Sequence, residues 1–556
     1  MICKVIEKLT GIERDTKDSG VAGIIKYAAD VTLYITVLFY LIAVGVILPL
    51  YVPGYDALGT VKGQFWIKCI GITWKILIVP LALYFLSFIV RLFGDRSDNK
   101  SLSNVFPHKF RIYSSDIWAG LFCVSVIISR AMSEEKEIAL YGERGWYIGM
   151  YSYLALGIGV MIVPRLGRAR NLFVSVIMAA SFIVAFIGLI MDYAGNVFNL
   201  DGWSEARVST IGNPNWFCGY LITVMFAGAA VFFLHKNDGN KNDKKFVAFI
   251  SVYMIVTFYM IISQGSASAY PALLAVILAL LILAGKDLNA LYKPVIIMLI
   301  WSVSAFLHSL FILGGGYSRP NDRLSHLMEK LPVALGLIAV VLILTGVIHT
   351  QLKKGKKTVS VNIGLILTAI SGIAVVIFLL LLVANTRSGV GYLGKEGSIF
   401  WFHNGWGASR GATLKAGWVL FTGMTPVEKL FGKGPDTFFS FLMGGRFFDT
   451  AQEMVVYFGG SRLTNSHCEP LTMLVNTGIF GTVSFYGLMI SIMLKGFKKA
   501  MGVSGRNKIT ALACSLSILA YIINNIFSFQ TAVNVSQLAL VLAFGAWAVL
   551  PDKSEG

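Results

Sequence analysis

Charged residues are scarce in this 556-residue sequence, because Asp, Glu, Lys and Arg make up only 14% of it, against roughly 25% in soluble domains. Hydrophobic residues make up 56%, and the mean hydropathy is +0.72. The sequence also lacks a repeat of three or seven residues, which excludes collagen and coiled coils. A cytosolic enzyme is excluded too, and the long apolar stretches predict an all-α polytopic membrane protein.

Motifs for metal or nucleotide chemistry are also missing. The six cysteines show neither CxxC nor zinc-site spacing, so neither a metal knuckle nor a disulfide framework is indicated. The sequence has no Walker motif, no His-rich metal spacing and no DxD motif in a predicted outer loop. We therefore expect neither a metal ion nor a cofactor.

Fourteen apolar stretches are each long enough to cross roughly 30 Å of hydrocarbon. They lie at 31–52, 66–93, 114–132, 145–163, 172–193, 215–234, 246–263, 268–284, 292–314, 331–350, 360–383, 470–494, 509–528 and 532–550. The first 28 residues lack the short apolar core and cleavage site of a signal peptide, which favours a retained cytoplasmic tail.

Basic residues indicate the orientation. Placing both termini in the cytoplasm puts 29 Lys or Arg on the inner side and 17 on the outer side, whereas acidic residues divide 13 to 16. This distribution follows the positive-inside rule. The net charge of +18 therefore reflects orientation and contact with anionic lipid, and no nucleic acid partner is expected. The predicted divisions are a cytoplasmic tail (1–30), helices 1 to 11 (31–384), a large extracytoplasmic loop (385–469), helices 12 to 14 (470–550) and a C-terminal tail (551–556).

The large loop stands apart because it is aromatic and Gly-rich, and loops of such length usually carry function. Within it, Arg410, Leu414, Trp418 and Phe421 share one stripe at helical spacing. This stripe predicts an amphipathic helix on the membrane surface. Arg410 would lie at its start, where a guanidinium can grip phosphate with two hydrogen bonds. The alternative is an interfacial arginine that only snorkels.

Two predicted helices begin at well-specified positions on the outer face. In the sixth stretch, Asn213 suits the N-cap position, and Pro214 and Asn215 follow it in the first turn. In the twelfth stretch, Pro470 lies in the first turn. Helix N-termini carry partial positive charge and free N–H groups, so both could hold a phosphate. The alternative is that these residues are only caps.

His467 immediately precedes the second of these helix starts. Its near-neutral reference pKa suits it to accept a proton from a hydroxyl group. The competing interpretation is a structural histidine that only hydrogen-bonds. Glu469, two residues later, could orient a partner or cap the helix.

The motifs together resemble the O-antigen ligase and O-antigen polymerase superfamily of lipid-linked glycan transferases. The resemblance rests on their order: ALYGERG at 139–145, R-x4-GNPN from Arg207 to Asn215, SQGSASAY at 263–270, R-x7-W from Arg410 to Trp418 with LFGKGPDTF at 430–438, and SHCEPLTMLVNTGIFG at 466–481. It spans roughly residues 139–550.

The resemblance implies a glycosyltransferase C type fold in the bacterial plasma (inner) membrane, with an extracytoplasmic active site. The implied reaction moves a glycan from undecaprenyl-pyrophosphate to an acceptor hydroxyl, without a metal, in cell-surface polysaccharide assembly. His467 would be the base, and Arg410 and Arg207 would hold the pyrophosphate. With the helix starts included, the predicted site comprises His467 and Glu469 as catalytic residues and, as substrate-binding residues, Arg207, Asn213, Asn215, Arg410 and Arg144.

Two positions depart from the family pattern. Cys468 replaces the usual Asn after the histidine, and the family's Ser-Arg-Gly motif has Gln264 in place of its arginine. Another outer cation, such as Arg144, Arg387 or Arg323, would have to substitute, or the donor is held differently.

Alternative functions remain open at this stage. Ligase and polymerase differ only in the acceptor, and transfer to protein Ser or Thr is a third enzymatic possibility. A transporter or flippase for lipid-linked glycan is the rival from another class, since carriers place ionisable residues near mid-membrane. Lys75 is the main such residue within a predicted span.

Overall fold

The computed structural model describes the chain as helices joined by turns and loops. The described residues are 2–14, 20–53, 58–94, 112–167, 169–195, 207–236, 241–318, 323–395, 397–502, 505 and 507–551. They contain no β-strand. In chain order the α-helices are α1 (Ile2–Thr10), α2 (Val21–Ile42), α3 (Leu48–Leu50), α4 (Leu58–Gly94), α5 (Ser114–Met132), α6 (Lys136–Tyr141), α7 (Met150–Ile162), α8 (Phe173–Ala194), α9 (Pro214–Val224), α10 (Phe226–Leu234), α11 (Lys241–Gln264), α12 (Ala269–Ala284), α13 (Leu288–Leu313), α14 (Arg323–Met328), α15 (Leu331–Lys353), α16 (Ile363–Ser388), α17 (Trp406–Thr422), α18 (Pro426–Phe431), α19 (Phe438–Met443), α20 (Phe448–Tyr457), α21 (Glu469–Met501), α22 (Lys508–Asn525) and α23 (Ala532–Ala548).

Eleven helical segments among the described residues are long and apolar enough to cross a membrane. Three shorter apolar helices accompany them, at Met150–Leu166, Ala269–Ala284 and Ala532–Ala548. Each of the fourteen predicted stretches falls on one of these helices, so the all-α class is confirmed for the described residues, and the many apolar helices fit a multi-pass membrane protein. The count of fourteen crossings stays a prediction, because three of the helices are short for a full span.

Several boundaries differ from the predicted ones. Helix α2 begins at Val21, within the predicted N-terminal tail, and α16 continues to Ser388, past the predicted start of the loop. Charged residues do not end either helix, since α2 contains the Lys26–Asp30 ion pair at 2.8 Å and α16 has Arg387 in its last turn.

The centre of the bundle is formed by α22 and α23. Every residue from Ala532 to Ala548 in α23 is buried, and α22 packs against α21, α10 and α12. Helices α15 and α16 lie at the periphery, where only 11% and 6% of the residues in the most apolar 18-residue stretch of each helix are buried. Such apolar outer surfaces suggest a lipid bilayer environment.

The segment between α16 and α21 forms a small substructure of its own, which we call the cap (389–468). It contains α17 to α20, which bury a separate apolar cluster against Val475 of α21. The cluster comprises Ala412, Ala416, Leu420, Met424, Phe438, Phe441, Leu442, Phe447, Ala451, Met454 and Leu463. The amphipathic helix predicted from Arg410 to Phe421 is present as part of α17, and Trp418 is exposed on it.

Helix α21 is interrupted near its start, where Gly478 has a left-handed φ of 70°. The interruption frees backbone carbonyl groups, and the cap supplies their donors. The N–H groups of Lys433 and Gly434 donate to the carbonyl oxygens of Val475 and Asn476, at 3.0 and 2.9 Å. The Ser129 hydroxyl also donates to the Asn476 carbonyl, at 2.8 Å. Irregular backbone in a membrane helix requires such partners.

Replacing Gly478 by Ala should destabilise the protein. An added Cβ atom would overlap the Leu430 carbonyl group, and the left-handed backbone costs a non-glycine residue about 1–3 kcal/mol. We expect a lower midpoint of thermal unfolding in detergent for Gly478→Ala. Gly336→Ala in α15 is the matched control, since its Cβ atom meets nothing within 4 Å. Equal midpoints for the two variants would contradict this explanation of the interruption.

Candidate functional site

Arg410 and His467, which are distant in sequence, meet at the connection between α22 and α23. The Arg410 guanidinium donates from Nε to the Phe527 carbonyl oxygen at 2.9 Å, and from one terminal nitrogen to the Gly407 carbonyl oxygen at 2.8 Å. The imidazole of His467 packs edge to face on Phe529, with ring centroids 4.9 Å apart. Two of the predicted site residues therefore share one neighbourhood.

Arg410 is positioned by an unusual turn at the start of α17. Gly407, Ala408 and Ser409 all have positive φ, between 57° and 69°. This left-handed run changes the chain direction just before the regular helix begins at Arg410. Strained backbone of this kind clusters at functional sites.

His467 is held by backbone and ring contacts. Its N–H group donates to the Asn465 side-chain oxygen at 3.0 Å, and its φ is 52°. Nδ1 is buried, and it has no hydrogen-bond partner among the described residues. Burial, together with the positive charge of Arg410, lowers the pKa of His467 to about 4. The imidazole is therefore neutral at pH 7.

The two predicted helix starts have the expected caps. The Asn213 side-chain oxygen accepts from the N–H groups of Asn215 and Trp216, at 2.9 and 3.3 Å. Pro214 and Pro470 each lie in the first turn of their helices, α9 and α21.

Aromatic rings connect the start of α9 to His467. Trp216 contacts Trp146, and Trp146 contacts Phe529, with centroid distances of 5.7 and 5.2 Å. Trp146 follows shortly after Arg144, which is exposed and has no hydrogen-bond or ion-pair partner within the described part of the chain. The rings of Trp216, Trp146 and Phe529 thus form a continuous row of contacts from the start of α9 to His467.

Glu469 lies in the wall of a cleft beside His467. The cleft is small, with a volume of about 20 Å³, and Trp146, Asp436, Asn465, Asn476 and Phe529 also line it. The Glu469 carboxylate is buried, accepts from the Asn525 amide and faces the Tyr486, Tyr521 and Gln530 side chains. With its surroundings fixed in this way, Glu469 can shape the cleft, whereas among the described residues no hydrogen bond or ion pair joins it to His467.

Asp436 was not among the predicted site residues. Its Oδ2 atom accepts from the N–H groups of Glu143 and Ile148, at 2.8 and 3.1 Å, so it joins the cap to the Gly142–Gly149 loop. A second link joins the same two parts, since Arg462 of the cap lies 2.8 Å from the Glu143 carboxylate. Asp436 follows the Lys433–Pro435 turn. An acidic residue directly after a Gly-Pro pair was the only feature of the sequence that could have marked it as a site residue.

Burial raises the pKa of Asp436 to about 7 and outweighs the two backbone hydrogen bonds, which lower the pKa, while the Glu143 carboxylate adds a smaller rise. Its φ of 60° is also left-handed. Asp436 therefore combines a perturbed carboxyl group with strained backbone at the cleft wall, as functional residues often do.

Arg207 has different neighbours. Its guanidinium donates to the Asp192 carbonyl oxygen at 2.7 Å and lies 4.7 Å from the centre of the Tyr317 ring. Its own carbonyl oxygen accepts from Gln264 at 3.3 Å. These contacts join Arg207 to the ends of α8 and α11, whereas the contacts of Arg410 and His467 lie on the α22–α23 connection.

Among the residues that the structure describes, no group of three or more His, Cys, Asp or Glu side chains could hold a metal ion. The free cysteines of the described chain include Cys468, which is half-buried beside His467.

Comparison of the chain with protein-family models and with curated proteins finds no match. A function is therefore inferred from the motifs of the sequence and from the geometry of the site.

The positive charge of Arg410 should be visible in the titration of His467. In Arg410→Gln the pKa of His467 should rise, because a nearby cation no longer opposes protonation. The rate at which diethyl pyrocarbonate modifies His467, followed by mass spectrometry across the pH range, reports the neutral imidazole. Lys415→Gln on the same helix is the control and should leave the midpoint unchanged. An identical midpoint in Arg410→Gln and the unmodified protein would contradict the proximity of the two side chains.

Proposed function

We propose that the protein is an O-antigen ligase-like or polymerase-like glycosyltransferase, which moves a glycan from a polyprenyl-pyrophosphate carrier to an acceptor hydroxyl. The observation that carries the proposal is the meeting of Arg410 and His467 on the Phe527–Phe529 segment. A permanent cation beside a neutral imidazole suits a reaction in which an anion leaves and a proton is accepted. The ordered motifs in the sequence support the same reaction class.

In the proposed reaction, the acceptor oxygen attacks the anomeric carbon of the carrier-linked glycan. His467 accepts the proton of that hydroxyl group, and a new glycosidic C–O bond forms. The bond from the anomeric carbon to the phosphate oxygen breaks, and its electron pair stays on the leaving polyprenyl pyrophosphate. Cations stabilise the developing charge, as they do in other phosphate-releasing reactions.

Arg410 is the proposed cation nearest the reaction, because its guanidinium adjoins the segment that carries Phe529. Arg144 is proposed as the second, since it is exposed close to Trp146. Arg207 stays a predicted substrate-binding residue, and its guanidinium contacts Asp192 and Tyr317. The N-terminus of α9, capped by Asn213, could add backbone N–H groups near the diphosphate.

The proposal also requires the His467 end of the bundle to face outward. The distribution of Lys and Arg predicts this orientation in a bacterial plasma membrane, with both termini in the cytoplasm. The proposed partners are then a carrier-linked glycan donor, a glycan or lipid-glycan acceptor and the bilayer itself.

A flippase for lipid-linked glycan is the second candidate. Two observations favour it: the interruption of α21 at Gly478 and the buried ionisable residues His308 and Glu329, which lie 3.9 Å apart. Interrupted helices and buried ionisable groups are typical of carriers. Translocation of fluorescent lipid-linked oligosaccharide across liposomes, without formation of a new glycosidic bond, would support it over the transferase.

His467→Ala should lower the rate of glycan transfer by about 10²-fold or more, because a positioned general base contributes 10²- to 10⁴-fold. Arg410→Ala should lower it strongly as well, and Arg410→Lys should restore part of it, since the charge returns without the planar fork. The assay uses purified protein in liposomes with lipid-linked oligosaccharide, and electrophoresis of the products distinguishes a polymer ladder from a single addition. Lys415→Ala, on the exposed side of the same helix, is the control. Unchanged transfer in both His467→Ala and Arg410→Ala would refute the proposed site.

A further inference from the structure

Two carboxyl groups line the small cleft beside His467. Its volume of about 20 Å³ is enough for one water molecule. Asp436 of the cap and Glu469 of α21 both line it, and among the described residues no Lys, Arg or His does. Two carboxylates in so small a space repel each other, so the pair keeps a proton at a pH where an isolated carboxyl group has lost it.

Asn476 is an independent sign of a ligand in this cleft. Its side chain is 5% exposed and lines the cleft, and its Oδ1 atom has no hydrogen-bond partner in the described part of the chain. A buried acceptor without a partner costs free energy. A water molecule fits the volume and supplies the missing donor.

Hydrogen-bond counting indicates one proton for the carboxyl pair. The N–H groups that bind Asp436 both donate to Oδ2, so Oδ1 is left for the cleft. A water molecule has two hydrogen atoms, which cannot satisfy Asn476 and two carboxylates at once. If one carboxyl group is protonated, its O–H group donates to the water, and the water donates to Asn476 and to the other carboxylate. Each of these groups then has a partner.

The titratable groups around the pair leave its negative charge uncompensated. Those among the described residues are Glu143, Tyr153, Arg462, His467, Cys468, Tyr486 and Tyr521. Arg462 is already bound to the Glu143 carboxylate, and the His467 imidazole is neutral at pH 7. Phenol and thiol groups are also uncharged at this pH. The pKa of Asp436, which burial raises to about 7, agrees with a retained proton.

We propose that Asp436 and Glu469 share one proton through a water molecule held by Asn476, which makes the cleft a proton-binding site between the cap and α21. The inference does not depend on the proposed glycosyltransferase function. Asp436 also joins the cap to the Gly142–Gly149 loop. Loss of the proton leaves two negative charges at this junction, so the cap is held more firmly below about pH 7 than above it.

Infrared spectroscopy of the full chain in an ester-free detergent detects the proton directly, because a protonated carboxyl group has a C=O band that a carboxylate lacks. Between about pH 6 and about pH 9 the unmodified protein should lose the band of one carboxyl group, with a midpoint near pH 7. Absence of such a band at pH 6, or loss of two carboxyl groups over this range, would overturn the inference.

Asp436→Asn and Glu469→Gln test whether the proton is shared. In each variant the remaining carboxyl group has no charged neighbour across the cleft, so its band should disappear about one pH unit lower or more. The double variant should have no such band. Glu453→Gln, in the exposed Lys415–Glu453 pair of the cap, is the matched control and should keep the band and its midpoint. Thermal unfolding shows which variants are folded, and an unchanged midpoint in a folded single variant would overturn the sharing.

Hydrogen exchange of the Lys433–Asp436 turn tests the effect on the cap. The N–H groups of Lys433 and Gly434 donate to α21. After correction for the intrinsic pH dependence of exchange, they should exchange several-fold faster at about pH 8.5 than at about pH 6 in the unmodified protein. The corrected rates should agree in Asp436→Asn, where the pair can no longer carry two charges. Equal corrected rates in the unmodified protein would overturn the effect of the proton on the junction.

Discussion

The hydrogen bonds between the Lys433–Gly434 turn and the interruption of α21 are the constraint on which the site depends. They satisfy the Val475 carbonyl group and, together with the Ser129 hydroxyl, the Asn476 carbonyl group, as irregular backbone inside an apolar bundle requires. The same bonds fix the cap against α21, and so determine where Asp436, which follows the turn, meets the Gly142–Gly149 loop. His467 lies just before α21 and is therefore fixed by the same arrangement.

The surroundings of His467 contain charges of both signs, separated by aromatic rings. Arg410 lies at Phe527, whereas Asp436 and Glu469 lie in the wall of the cleft beyond Phe529. Burial and the arginine keep the imidazole neutral, which a general base requires. The carboxyl groups line a separate, small cleft.

Much of the architecture could be predicted from the sequence, because the signals are local. Apolar stretches, the Asn213 cap with Pro214, and the helical stripe from Arg410 to Phe421 each depend on neighbouring residues, and the structure confirms these elements. Helix α2 begins earlier and helix α16 ends later than predicted, since a helix can continue through charged residues beyond its apolar part. Membrane orientation and the number of crossings stay predictions.

The site was only partly predictable, because its contacts join residues far apart in the chain. Asp436 contacts Glu143 and Ile148 across almost 300 positions, and no local pattern reveals such a pairing. The interruption at Gly478 was hidden within a continuous apolar stretch, where a single glycine is a weak signal. Arg207 was grouped with His467 by motif order, whereas its contacts with Asp192 and Tyr317 became visible only in three dimensions.

The most direct test is a cryo-electron microscopy structure of the protein in nanodiscs with a polyprenyl-pyrophosphate-linked oligosaccharide bound. The diphosphate should contact the Arg410 guanidinium, and the anomeric carbon should lie beside the His467 imidazole. A diphosphate bound away from Arg410, with its sugar out of reach of His467, would contradict the proposed site.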